Sequence, residues 1–141
     1  GTALFMFIFA GGIASLASGF VEKRIGAKNV FYISMISTLP LMVLFILTYQ
    51  KFSILSLVIF VITGFVTMMA TPVTMVMAQR VLPEYKSIIA GFINGFSWGV
   101  IAIVMSALGF VAENFGITKV LLLVAIIPAV CSILIKELFK D

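Results

Sequence analysis

The sequence predicts an all-α membrane protein with five transmembrane helices. Two observations carry this. Hydrophobic residues make up 63% of the 141-residue chain and charged residues only 10%, with a mean hydropathy of +1.31. Water-soluble domains carry about 25% charged residues. The apolar residues also fall into five long runs, and the short gaps between them hold nearly all the charge. A helix needs about 20 apolar residues to cross a bilayer. Within lipid every backbone polar group must be paired inside its own segment, so runs of this length become helical. A transmembrane barrel would show short alternating segments instead.

The first run, about 2–21, starts at once and ends at the charged stretch "EKRIGAKN". It carries Gly11, Ser15 and Gly19 at steps of four, which place small residues on one face. Such faces let helix backbones approach closely, because lipid offers no hydrophobic force between helices. The second run, about 30–49, lies between that stretch and the gap "QK".

The third run, about 53–78, holds Thr63, Thr67, Thr71 and Thr74 on a common face beside Pro72. Proline cannot donate to the carbonyl four residues back, so a kink is expected. Two uses of the threonines stay open here. They bond carbonyls near the kink, or they form a polar wall on a water-filled cavity, with Thr67, Thr71 and Thr74 as lining. Met68, Met69, Met75 and Met77 crowd the same run; methionine commonly fills cores, and its adaptable side chain also suits promiscuous contacts.

The fourth run, about 88–112, carries Gly91, Gly95 and Gly99 four apart, a second expected packing seam alongside Gly11 and Ser15. Asn94 and Trp98 form an i, i+4 pair on it and are candidate cavity-lining residues. The fifth run, about 120–135, contains the single cysteine, Cys131, which permits no internal disulfide.

Orientation follows from Lys and Arg. Alternate gaps fall on opposite sides of the membrane. One side receives Lys23, Arg24, Lys28, Arg80, Lys86, Lys136 and Lys140, and the other only Lys51 and Lys119. The C-terminus is therefore expected in the cytoplasm. The net charge of +4 is a topology signal and no pointer to nucleic acid, because the basic residues are scattered over separate turns.

One corner is written twice. "GFVEKRIGAKNV" from Gly19 and "GFVAENFGITKV" from Gly109 agree at five of twelve positions. They close helices that point in opposite directions, as an inverted-topology repeat would. Glycine also commonly ends helices, which is the competing explanation. Under the repeat, the first span matches the fourth and the second matches the fifth. The third then lacks a counterpart before Gly1. The expectation is a six-helix unit of two inverted three-helix repeats, with residues 1–141 forming one membrane domain that is a fragment of it.

These residues resemble the major facilitator superfamily. Its signature corner, roughly Gly-x-x-x-Asp-Arg-x-Gly-Arg-Arg, is matched at Gly19, Arg24, Gly26 and Lys28; its acid position holds Lys23, and the nearest acid, Glu22, stands one place early. The stretch "MAQRVLPEYKSIIAGFINGFSWG", with "GGIASLASGFVEKRIGAK" and "GFVAENFGI", is similar to the C-terminal half of fosmidomycin-resistance-type drug exporters. The resemblance implies helices eight to twelve of a twelve-helix exporter of drugs or small metabolites. It also implies alternating access, proton coupling and an N-terminal half outside this chain.

No Asp, Glu, Lys, Arg or His lies inside a run. Proton relays in membranes normally need ionisable residues there, so the titrating groups are expected outside this chain. With no histidine, phosphate loop or catalytic triad, the sequence predicts no enzyme, no metal site and no cofactor. The partners it implies are the lipid bilayer, the rest of the transporter and a small-molecule substrate. The alternative is a non-transporting scaffold that associates through its glycine faces.

Overall fold

The structure, a computed structural model, describes residues 1–51 and 53–138; Lys140, used above for orientation, lies outside them. The long helices are α1 (Thr2–Ile25), α2 (Ala27–Thr48), α3 (Ser53–Val81), α5 (Ser97–Phe115) and α6 (Ile117–Leu138). Between α3 and α5 come a 3-10 turn (Pro83–Tyr85), the short α4 (Lys86–Gly91) and a π-helical turn (Phe92–Phe96). Among the described residues, five stretches are long and apolar enough to cross a membrane, the fourth running continuously from Pro83 to Phe115.

The helices outrun the apolar segments by about a turn. α1 continues through Lys23 and Arg24, and α3 through Arg80, each in the last turn of its helix. Cations are favoured there by the partial negative charge of the helix C-terminus.

The repeated corner folds the same way in both copies. Gly26 (φ 85°, ψ 151°) is the single residue between α1 and α2, and Gly116 (φ 89°, ψ 144°) the single residue between α5 and α6. Gly26 N donates to Glu22 O at 2.8 Å and Gly116 N to Ala112 O at 2.9 Å. This backbone region is close to glycine-only, because a Cβ would clash there. Gly26→Ala and Gly116→Ala should each cost about 1–3 kcal/mol, read as a lower melting temperature in detergent. An unchanged melting temperature for both would show that the corners relax without strain.

α3 is the centre of the bundle. α1 and α2 pack against it, α6 packs on α2, and α5 packs on α6. The buried residues are mostly small or hydroxylic: Ala14, Ser18, Ser34, Thr38, Ser56, Thr63, Ala70, Ala125 and Ser132. The large side chains, such as Phe5, Phe9, Leu16 and Phe20, point outward. This inside-out distribution is expected where the surroundings are as apolar as the core and close backbone approach drives packing. One larger apolar cluster joins Ala27, Val30 and Phe31 of α2 to Ala70 and Val73 of α3.

The α1–α3 seam is the tightest. A Cβ on Gly11 would lie 2.5 Å from Met68 Cγ, and one on Gly64 would lie 2.7 Å from the Phe7 ring and 2.8 Å from the Phe7 carbonyl oxygen.

Candidate functional site

The threonine face of α3 divides its hydroxyls among several partners. Thr63 donates to Ile59 O and Thr74 to Ala70 O, both at 2.8 Å. Thr38 of α2 donates to Ser34 O at 2.8 Å, which leaves its oxygen to accept from Thr67 at 3.1 Å. Thr71 is exposed. Thr63 and Thr74 thus bond backbone carbonyls, and Thr67 ties α3 to α2.

Pro72 leaves the Met68 carbonyl without its usual helical donor. The Ser15 hydroxyl of α1 lies 3.3 Å from that oxygen and 3.0 Å from Gly11 O. Ser15 therefore serves the kink as well as the seam, since an unpaired carbonyl at this depth would be costly.

The fourth span stands apart. Asn94 falls inside the π-turn, and Trp98, at the start of α5, is 67% exposed. Phe92 and Phe96 stack within the turn at 4.8 Å. A Cβ on Gly91, Gly95 or Gly99 would meet nothing within 4 Å. Among the described residues, no helix of this chain occupies the seam expected on that face. The reason is the packing order: α3 meets this span at its start, in the 3-10 turn and α4, and α5 lies on α6. Asn94 and Trp98 are accordingly not brought onto the threonine face.

The ends of the bundle carry its polar contacts. At one end Arg80 Nη2 donates to Glu22 Oε1 at 2.6 Å, joining the last turns of α1 and α3. Gly19, Arg24, Gly26 and Lys28 are exposed around this corner. A cavity of about 690 Å³ opens beside it, bordered by Thr74 and Met77 of α3 and by Lys28 and Phe31 of α2. At the other end, the Thr118 hydroxyl and then the Gln50 amide, 2.9 Å away, hold the Tyr49 phenol below its ordinary value.

Sequence reasoning missed Gly64 and the pairing of Arg80 with Glu22. Gly64 follows Thr63 outside any four-residue glycine series, so nothing local marked it. The pairing could have been found: in the alternation of gaps Arg80 falls on the same side as Glu22. Among the described residues no cluster of side chains fits a metal ion.

Comparison with known proteins completes the assignment. The chain is 30% identical over 125 residues to the Fosmidomycin resistance protein of Escherichia coli (strain K12). It is 27% identical over 125 residues to an uncharacterized MFS-type transporter, YfnC, of Bacillus subtilis (strain 168). Each alignment covers 89% of this chain and 30% of the relative, so the chain spans less than a third of the length of either. No solved structure matches it significantly. The model of the Major Facilitator Superfamily matches residues 1–140, and with five helices among the described residues long and apolar enough to cross a membrane, the chain belongs to that superfamily.

Proposed function

We propose that the chain forms helices eight to twelve of a twelve-helix secondary active transporter that exports drugs or small metabolites by alternating access. The observation that carries this reading is the 30% identity, over 89% of the chain, to a protein named for fosmidomycin resistance. The described spans hold no ionisable side chain in their interiors. Proton coupling on this reading uses groups in the part of the transporter outside this sequence. The protein sits in the cell membrane, the inner membrane in a bacterium with two, with the Glu22–Arg80 end and the C-terminus in the cytoplasm. Thr67, Thr71, Thr74, Asn94 and Trp98 are the cavity-lining residues on this reading, and Gly91, Gly95 and Gly99 meet a helix of the N-terminal half.

The test is expression of the full-length protein in a strain stripped of its fosmidomycin exporter. Tolerance to fosmidomycin should rise, and efflux from loaded cells should stop on adding an uncoupler. Unchanged tolerance across fosmidomycin and a panel of unrelated drugs would overturn drug export. Orientation is checked separately: a fluorescent protein fused after Asp141 should light up and an alkaline phosphatase fused there should stay inactive. The reverse pattern would overturn the assigned sidedness.

A further inference from the structure

We propose that the cavity beside the α1–α2 corner binds an anionic phospholipid, its phosphate held by Arg80 and Lys28 and an acyl chain seated along Phe31 and Met77. The cavity measures about 690 Å³, and its walls come from the start of α2 and the end of α3. Most of its lining is apolar, including Ile25, Phe31, Met77 and Val81, whereas Lys28 and Arg80 border the same space. Lys28 lies in the first turn of α2 and Arg80 in the last turn of α3. The cations therefore stand at the depth where a span leaves the hydrocarbon, with the greasy walls running inward from them. That is the order of parts in a phospholipid.

Charge favours an anionic occupant. The corner and the next gap on this side hold Lys23, Arg24, Lys28, Arg80 and Lys86 against Glu22 and Glu84. Five cations against two acids leave an excess of three positive charges. Arg80 keeps donors in reserve. Glu22 takes a bond from Nη2 alone, and the Arg80 side chain is 65% exposed. A guanidinium carries five N–H groups in a fork that suits phosphate oxygens. A second hollow of about 390 Å³, bordered by Arg80, Pro83 and Lys86, continues the basic rim outward. At the other end of the bundle, a cavity of about 480 Å³ between Phe45, Leu57 and Phe60 has no charged side chain on its walls, and one of about 620 Å³ has Lys51 alone, against the Lys28 and Arg80 pair here. A free phosphate would use the rim and leave the apolar walls idle, which is why a lipid is the occupant assigned. Basic pockets between helices at a membrane face are the general setting for anionic headgroups.

The experiment reads binding and not transport, so it stands or falls apart from the export reading. The full-length protein is purified in detergent, stripped of lipid and offered phosphatidylglycerol and phosphatidylcholine in equal amounts. Retained lipid is then weighed by native mass spectrometry. The wild type should keep phosphatidylglycerol at least about tenfold over phosphatidylcholine, an electrostatic preference of the kind basic pockets show. Arg80→Gln combined with Lys28→Gln should abolish the preference. Ala78→Trp, which fills the cavity without changing charge, should lower retention of phosphatidylglycerol. Glu22→Gln should preserve it, because it frees Arg80 and removes a negative neighbour. Equal retention of both lipids by the wild type would overturn the proposal. Displacement of phosphatidylglycerol by inorganic phosphate, together with full retention by Ala78→Trp, would also overturn it and leave a bare anion site. Should the double variant fail to run as a single species on size exclusion, Ala78→Trp decides alone: full retention would mean that the lipid sits elsewhere or that another segment fills the cavity.

Discussion

Gly64→Leu should force α1 off α3 and leave the full-length protein unable to assemble. A Cβ at this position lies 2.7 and 2.8 Å from two Phe7 ring carbons and 2.8 Å from the Phe7 carbonyl oxygen. The ring could turn, but the carbonyl belongs to the backbone of α1 and cannot. The ring is also hemmed in: Phe7 sits 4.7 Å from Phe60 of α3, and Phe60 sits 5.0 Å from Phe45 of α2. Pushing Phe7 aside therefore disturbs all three helices at once. Overpacking costs about 1–3 kcal/mol in well-packed cores, and this site belongs at the top of that range. Gly64→Ala should show the same defect in weaker form. Gly12→Leu is the matched control, because a Cβ there meets nothing within 4 Å. The measurement is the folded fraction on fluorescence-detected size exclusion, with thermal melting of whatever folds. A Gly64→Leu protein that melts like the wild type would mean the α1–α3 seam is looser than its contacts require.

The second large effect concerns Gly95, and its sign depends on the assay. Within this chain Gly95 faces open space, so Gly95→Leu should leave packing among these helices intact. Membrane insertion should also be retained, since the change raises hydropathy. Transport by the full-length protein should nevertheless be lost. Three glycines four apart offer a smooth face for close backbone approach, and on our reading a helix outside this sequence uses it. Ile93→Leu should be silent by comparison. Drug efflux measured beside membrane abundance separates the two outcomes. Retained efflux with Gly95→Leu would place that face against lipid.

The architecture was largely legible because hydropathy, run length and charge placement all act locally. The repeated corner was legible for the same reason: Gly26 and Gly116 are the two residues with positive φ among those described, and a glycine is what such backbone demands. Packing partners were less legible. Gly11 and Gly91 stand in equally regular glycine or serine series, yet one is pressed against Met68 and the other meets nothing in this chain. Spacing along a helix fixes which residues share a face; which neighbour arrives there is a long-range matter. The Thr38–Thr67 and Ser15–Met68 contacts are of the same kind, with partners 29 and 53 residues apart. The π-turn was hidden differently. An apolar run that includes Gly91 and Gly95 tolerates α or π winding, and hydropathy does not distinguish them.

A joint of one residue also limits how the helices can travel. One extended residue spans only about 3.3–3.6 Å, so neither α1 and α2 nor α5 and α6 can slide past one another by a helical turn. Each pair behaves as a stiff elbow. The segment from Leu82 to Phe96 is built otherwise, with a 3-10 turn, a helix of six residues and a π-turn in succession. The second elbow is therefore tied to the first in two ways, along the chain through those fifteen residues and across the bundle where α6 rests on α2.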